Sequence, residues 1–361
     1  MRLASILTQP QKYIRIFREK CKFGECPQVA QIMSSSCVGG TENFADNQIK
    51  NIFRVFNGKN KKKKYLCKQS LILNKSMYGN KIRYTFSGHE SFYCKSLWLK
   101  KGYDFVSDNN DFNAPDAVVK LGVGKNMVAT IRYWLRAFGL MEDGRITEIA
   151  NYIFGDENGK DPYIEDLGTL WLLHYLLVKT ELASIYKLFF VDFHREKNNE
   201  FTKDQLQLFL KRKNGETRYA NLYNENTVRR DISVLLQNYV IPQKEKPNED
   251  FLALLINLNL IKQAEDRSLY FNTKGKTELI PEIFLYAIIE DKKDDNAISF
   301  DRLMDLALVF CLSKTELIDT ILLLVEKYPN SLRYTDDGGI RQLFFLQEID
   351  KNEILEQYYT K

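Results

Sequence analysis

The chain has 361 residues, of which 44% are hydrophobic and 27% charged, and its formal net charge is +5. This composition is that of an ordinary globular protein, and the length suffices for roughly two or three domains. The longest nearly apolar stretch, Leu170 to Val178, contains His174 and falls far short of the roughly 20 residues that a membrane-spanning helix needs. The N-terminus also lacks the apolar core of a secretory signal. We therefore expect a soluble, cytoplasmic protein that makes no contact with a membrane.

The cysteines predict neither a disulfide framework nor a metal site. Four of the six precede Met77, and only Cys94 and Cys311 lie in the well-patterned part of the chain. Cys21 and Cys26 begin a possible metal site, but no second Cys/His pair follows at zinc-ribbon spacing. We expect a reduced protein with no metal and no cofactor.

Charge divides the chain near Met77. Residues 1–76 hold 15 Lys and Arg against 4 Asp and Glu, a net charge of +11, whereas residues 77–361 hold 37 against 43, a net of −6. Residues 1–76 also lack sustained hydrophobic periodicity, which predicts a poorly structured basic segment. One interpretation is a basic arm that holds the protein near DNA. The favoured one is that translation starts at Met77, because patterned sequence begins abruptly at Lys81.

The first patterned unit is expected over residues 77–163. Ser87 or Ser91 is expected to cap a helix that reaches Leu99. After the turn Gly122-Val-Gly124, the residues Met127, Ile131, Leu135 and Phe138 recur at helical spacing, and Asp143-Gly144 predicts a short hairpin. Helix, glycine turn, helix and hairpin is the order of a winged helix-turn-helix.

The rest of the chain repeats this theme. Residues 164–200 are expected to form an apolar helical connector. Residues 201–290 predict a second winged helix, with Thr202 as a helix cap and a hairpin around Glu265-Asp266. Residues 291–361 predict a third, winged-helix-like unit, with a capping box at Ser313. The predicted fold class is mainly α with small β-hairpins (α+β), built as tandem winged helix-turn-helix units.

Double-stranded DNA is the expected partner, because a helix in the major groove presents polar and basic side chains opposite its apolar face. The candidates in the first unit are Lys125, Asn126, Thr130, Arg132, Tyr133 and Arg136. Those in the second unit are Asn226, Thr227, Arg229, Arg230 and Ser233. The alternative is that both sets form ordinary solvated faces, with Arg229 and Arg230 paired to Glu225 and Asp231. In the third unit Glu316, Asp319 and Glu326 make the corresponding helix face acidic, which favours an interaction or scaffold role.

Enzymatic chemistry has little support in the sequence. His89-Glu90 is a potential acid/base or metal pair, but the third group that such sites require is not evident. We therefore expect no catalytic residues and a turn-stabilising role for Gly88-His89-Glu90. His174 lies in an apolar helix and is expected to be a hydrogen-bonded core residue.

From about Ile82 to Tyr358 the chain resembles the bacterial family of unknown function DUF4007. Three stretches carry the resemblance: Phe86-Ser-Gly-His-Glu-Ser-Phe92, Leu121-Gly-Val-Gly-Lys-Asn-Met127 and Asp166-Leu-Gly-Thr-Leu-Trp171. Members of that family tend to be encoded beside DNA phosphorothioation enzymes. The resemblance thus implies a DNA-binding accessory or regulatory protein of a sulfur-modification or phage-defence system. Two alternatives stay open: a protein-interaction scaffold for a modification enzyme without DNA contact, and an enzyme that depends on His89 and Glu90.

Overall fold

Glycines follow the second and third helices of the N-terminal part. The computed structural model describes residues 82–197, 200–241, 253–275, 279–337 and 339–360. Helix α1 spans Trp98–Ser107, α2 spans Ala117–Leu121 and α3 spans Lys125–Ala137. Gly122, directly after α2, has a φ of +61°, and Gly139, beyond α3, has a φ of +68°. Both adopt the left-handed conformation in which a glycine closes a helix without a steric penalty. The predicted basic segment 1–76 lies outside the described residues.

Two details of this part can be compared with the prediction. Strands β1 (Met141–Glu142) and β2 (Arg145–Ile146) pair antiparallel, so the hairpin at Asp143-Gly144 is confirmed. The expectation that Ser87 or Ser91 caps the first helix is wrong, because that helix begins at Trp98 and has no side-chain cap. Ser87 and Ser91 instead have positive φ angles of 80° and 65° and belong to a tight turn.

The central helices are almost completely buried. Helix α4 spans Glu148–Phe154 and α5 spans Leu167–Lys179, of which residues 168–178 are all buried. Helix α6 (Ser184–Lys187) continues through a π-helical segment, Leu188–Phe193, into α7 (His194–Glu196). A helix that is apolar on every side belongs inside a protein, which is why α5 forms the centre of the core.

The next elements follow the order strand, helix, helix, strand, strand. They are β3 (Glu200–Phe201), α8 (Lys203–Gly215), α9 (Glu225–Tyr239), β4 (Ile261–Gln263) and β5 (Leu269–Phe271), with short 3-10 turns at Ala220–Leu222 and Ile256–Leu258. The three strands form an antiparallel sheet of order β3-β5-β4. Thr202 and Gln205 form a reciprocal capping box at the start of α8, which confirms Thr202 as a cap.

The C-terminal part repeats this order after an additional helix. Its elements are α10 (Pro281–Lys292), β6 (Ala297–Ser299), α11 (Phe300–Val309), α12 (Lys314–Lys327), β7 (Leu332–Asp337), β8 (Ile340–Phe345) and α13 (Lys351–Tyr359). The sheet order is β6-β8-β7, again antiparallel. The capping box of Ser313 with Glu316 is confirmed. The coarser part of the predicted fold class, mainly α-helical with small antiparallel sheets, is likewise confirmed.

One hydrophobic cluster joins all these parts, from Cys94 before α1 to Leu355 in α13. Cys94 and Cys311 are buried inside it. Within the described ranges, no helix has the combination of length and apolarity that crossing a bilayer requires.

Candidate nucleic-acid interface

Helix α3 presents a basic face to solvent. Lys125, Asn126 and Arg136 are exposed, and Arg132 is half-buried with Nη1 donating to Asn113 Oδ1 at 2.9 Å. The helix sequence contains no Asp or Glu, and in the part of the chain that the structure describes Lys125 and Arg136 form no ion pair. The helix begins after Gly124 without a side-chain cap, so its first backbone N–H groups face solvent beside Lys125. Such a terminus favours phosphate oxygens.

Two of the six candidates on α3 serve packing instead. Thr130 is completely buried, and its hydroxyl lies 2.8 Å from the Asn126 carbonyl and 3.2 Å from the His89 carbonyl. A side chain enclosed in this way does not reach DNA, so Thr130 drops out of the candidate interface. The ring of Tyr133 lies under Gly88 and edge-on to His89. Burial raises the pKa of the Tyr133 hydroxyl, and nearby Asp231 raises it further.

Helix α9 presents a second polar face. Asn226, Arg229, Arg230 and Ser233 are exposed, and Thr227 is half-buried. Asn226 lies three and four residues before the two arginines, Ser233 follows them by four and three, and Thr227 precedes Arg230 by three, so these positions share one side of the helix. The Asn224 side chain caps the helix by accepting from the Thr227 N–H at 3.0 Å.

The alternative pairing of the two arginines holds for one of them. Arg229 pairs with Glu225 at 2.8 Å and donates to Gln207 Oε1 at 3.1 Å. Arg230 makes no ion pair within the described residues, and the carboxylate of the buried Asp231 accepts from Ser87 and His89 instead. The guanidinium of Arg230 is therefore available to a ligand, whereas Arg229 would have to exchange Glu225 for a phosphate.

The loop Phe86–Phe92 forms hydrogen bonds with both helices, α3 and α9. Asp231 of α9 is 3% exposed and accepts the Ser87 N–H with both carboxylate oxygens at 3.0 Å and His89 Nε2 at 3.0 Å. The His89 carbonyl accepts from Thr130 of α3. One turn thus contacts both helices, and its backbone has positive φ at Ser87, Gly88, Glu90 and Ser91. Such a conformation persists only where the surroundings hold it in place.

The hydrogen bonds of His89 define its tautomer. Its Nδ1 accepts the Ser91 N–H at 3.1 Å, so the proton must be on Nε2, which donates to Asp231. Both ring nitrogens are therefore engaged and the side chain is buried, while Glu90 is exposed. In the ranges that the structure describes, no group of three or more His, Cys, Asp or Glu side chains is arranged to hold a metal ion.

Sequence reasoning missed Asp231 as the partner of this loop and placed it beside the arginines. The signal was present: Asp231 follows Val228 by three residues and precedes Leu235 by four, so it lies on the inward, apolar side of α9. A carboxylate on that side must have an internal partner.

A second set of contacts involves the stretch Asp166–Trp171. Asp166 caps α5 by accepting from Gly168 and Thr169, and its Oδ1 also accepts the Tyr358 hydroxyl at 2.7 Å. Thr169 shares a hydrogen bond with Tyr359 at 2.7 Å. This stretch therefore anchors the C-terminal helix α13 to the start of the central helix.

Comparison with known proteins identifies the family of this chain. The profile of the protein family of unknown function DUF4007 matches residues 86–359. The chain belongs to this family. Two solved structures are similar to it over 77% of its length and 88% of theirs: "Magnesium ion-bound SspB crystal structure", at 26% identity and a TM-score of 0.67, and "SspB crystal structure", at 27% and 0.66. Among curated proteins, no sequence match is found.

Of the three stretches that carry the family resemblance, two have internal structural roles. The loop 86–92 forms hydrogen bonds with both α3 and α9, and the stretch Asp166–Trp171 anchors α13. The third stretch differs, since a Cβ added at Gly124 would meet no atom within 4 Å and Lys125 and Asn126 face solvent. Packing does not explain its polar residues, which makes the start of α3 the best candidate for a ligand contact.

Proposed function

We propose that this protein is a DNA-binding accessory or regulatory component of a DNA sulfur-modification system or of the phage defence associated with it. The observation that carries the proposal is the exposed basic face of α3, which contains Lys125, Arg132 and Arg136 and lacks acidic residues. Because residues 77–361 have a net charge of −6, such a local cluster is the form that a phosphate-binding surface must take here.

The element order supports a winged-helix interpretation. In a winged helix-turn-helix, the helix before the β-ribbon enters the major groove, and the helix ahead of it crosses the backbone. By this order α3, α9 and α12 are the recognition helices of three successive units. The strand orders β3-β5-β4 and β6-β8-β7 support it further, because each places the first strand against the hairpin that follows the recognition helix.

DNA contact is assigned to α3 and α9. With Thr130 and Tyr133 left out, the candidates on α3 are Lys125, Asn126, Arg132 and Arg136. Those on α9 are Asn226, Thr227, Arg229, Arg230 and Ser233. Lys125 and the open N-terminus of α3 suit phosphate oxygens. The arginines suit guanine edges or phosphates.

The link to sulfur modification rests on family membership and on the two related structures named SspB. One of those proteins is described with bound magnesium. The described residues of this chain offer no cluster of three or more His, Cys, Asp or Glu ligands. No part of the proposal uses a metal.

The test is a fluorescence-anisotropy titration of a labelled 30-base-pair duplex at several salt concentrations. Lys125→Gln with Arg136→Gln, and separately Arg229→Gln with Arg230→Gln, should weaken binding. Each pair should also reduce the slope of log K against log salt by about 0.9 for every phosphate contact removed. The matched control is Arg195→Gln with Arg341→Gln, two arginines on other elements that are already paired with Asp305 and Asp336. Absence of binding by the wild type at low salt, or equal weakening by the control, would contradict the proposal.

A further inference from the structure

The three recognition-helix positions carry different chemistry. On α3 the exposed face is basic, and on α9 it contains Arg229 and Arg230. On α12 the exposed face contains Thr315, Asp319, Leu322 and Glu326, at spacings of four, three and four residues, with Leu323 beside them. These spacings place the residues on one side of the helix. We call this set the α12 face.

The α12 face is both acidic and apolar. Leu322 and Leu323 are 51% and 50% exposed, although the leucines of an amphipathic helix normally face the core. Asp319 and Glu326 are exposed and form no ion pair with any residue that the structure describes. The lysines at the two ends of the helix are engaged elsewhere: Lys314 lies over the Phe300 ring and Lys327 pairs with Glu282.

The helix does not need these leucines for its own packing. Leu317, Ile321 and Leu324 already fill its inward side and are completely buried. The capping box of Ser313 and Glu316 stabilises its first turn. The outward leucines thus contribute little to the fold, and the two carboxylates that flank them repel DNA phosphates.

We propose that the α12 face is a docking surface for a partner protein that presents an apolar segment flanked by Lys or Arg. Burying two half-exposed leucines supplies the apolar contact, and the unpaired Asp319 and Glu326 supply the charge complementarity that selects a basic partner. A symmetric dimer through this face is disfavoured, because two α12 faces would bring like charges together. The third unit then serves protein association, while α3 and α9 remain available for DNA.

The probe is a labelled amphipathic helical peptide with leucines on one side and lysines on the other. A matched peptide with glutamate in place of lysine tests the charge requirement. The full-length wild type should bind the lysine peptide and not the glutamate peptide. Leu322→Ser with Leu323→Ser, and separately Asp319→Asn with Glu326→Gln, should each weaken binding about tenfold. The control is Leu208→Ser with Leu222→Ser, which removes leucines that are 66% and 56% exposed on other elements; it should bind as the wild type does.

Several results would overturn the proposal. They are no binding of the lysine peptide, equal binding of both peptides, or equal weakening by the control pair. Sedimentation of the protein alone tests whether a second copy of the chain occupies the α12 face. A dimer that the Leu322/Leu323 variant converts to a monomer would show that it does. Circular dichroism checks that each variant is folded. Because no DNA is present, these outcomes do not depend on whether α3 and α9 bind a duplex.

Discussion

His89 donates from Nε2 to Oδ1 of Asp231 over 3.0 Å, and both side chains are buried. The contact joins the loop before α1 to the inward side of α9, two segments 142 residues apart in the chain. Because the Ser87 N–H also donates to Asp231, the carboxylate is the acceptor on which the conformation of this loop depends.

Replacing Asp231 with alanine should destabilise the protein strongly. The change leaves the Ser87 N–H and His89 Nε2–H without their buried acceptor, and we expect a loss of about 3 kcal/mol in the free energy of unfolding. Urea denaturation measures it. Asp319→Ala, at an exposed aspartate, is the matched control and should change stability by less than about 0.5 kcal/mol. Equal stability of the two variants would show that the Asp231 contacts contribute nothing.

Gly88→Ala should also destabilise the loop. Gly88 has a φ of +110°, and a Cβ there would lie 2.6 Å from Tyr133 Cδ2, so both the backbone and the ring must shift. Gly124→Ala provides the control, since Gly124 lacks a positive φ and a Cβ there meets no atom within 4 Å. We expect Gly88→Ala to cost at least about 1 kcal/mol and Gly124→Ala to be nearly neutral, as judged from paired thermal unfolding curves.

Gly168→Ala should weaken the docking of α13. A Cβ on Gly168 would lie 2.5 Å from Tyr358 Cε1, which displaces a ring whose hydroxyl donates to Asp166. The effect should be non-additive with Tyr358→Ala, because once the ring is removed the added methyl no longer clashes. A double-mutant cycle by urea denaturation gives the coupling. A coupling within error of zero would mean that the helix accommodates the methyl group elsewhere.

His194 should make stability depend on pH. Burial lowers the pKa of His194 from 6.5 to about 4, and its ring stacks on Phe271 at 3.9 Å. Above pH 6.5 the imidazole is neutral in both the folded and unfolded states. As the pH falls from 6.5 towards 4 only the unfolded state takes up the proton, so this residue's contribution is progressively lost, to a total of about 3 kcal/mol.

The comparison variant is His194→Gln, whose amide can still donate to the Leu308 carbonyl that His194 Nδ1 contacts. Between pH 6.5 and 4 the free energy of unfolding of the wild type should fall more steeply than that of the variant. The other titrating groups are common to both proteins and cancel in the difference. Parallel curves would contradict the assignment of a low pKa to His194.

Local sequence signals predicted local structure well. The capping boxes at Thr202 and Ser313 and the hairpin at Asp143-Gly144 are present where expected. Each depends on hydrogen bonds or φ angles within a few residues, and propensity and spacing encode these directly. The outward positions of Lys125, Arg136 and Arg230 also followed from helical periodicity, because the buried stripe of an amphipathic helix defines its exposed one.

Residue patterns along the chain were therefore enough to predict the type and order of the elements and the helix faces available to a ligand. The folded chain was needed to show that Thr130 is enclosed, that Asp231 holds His89 rather than an arginine, and that Tyr358 rests on Gly168. The cause of this difference is the separation of these residues along the chain. These contacts join residues 41, 142 and 190 positions apart, and no local pattern states which polar group on one element will meet which on another until packing brings them together.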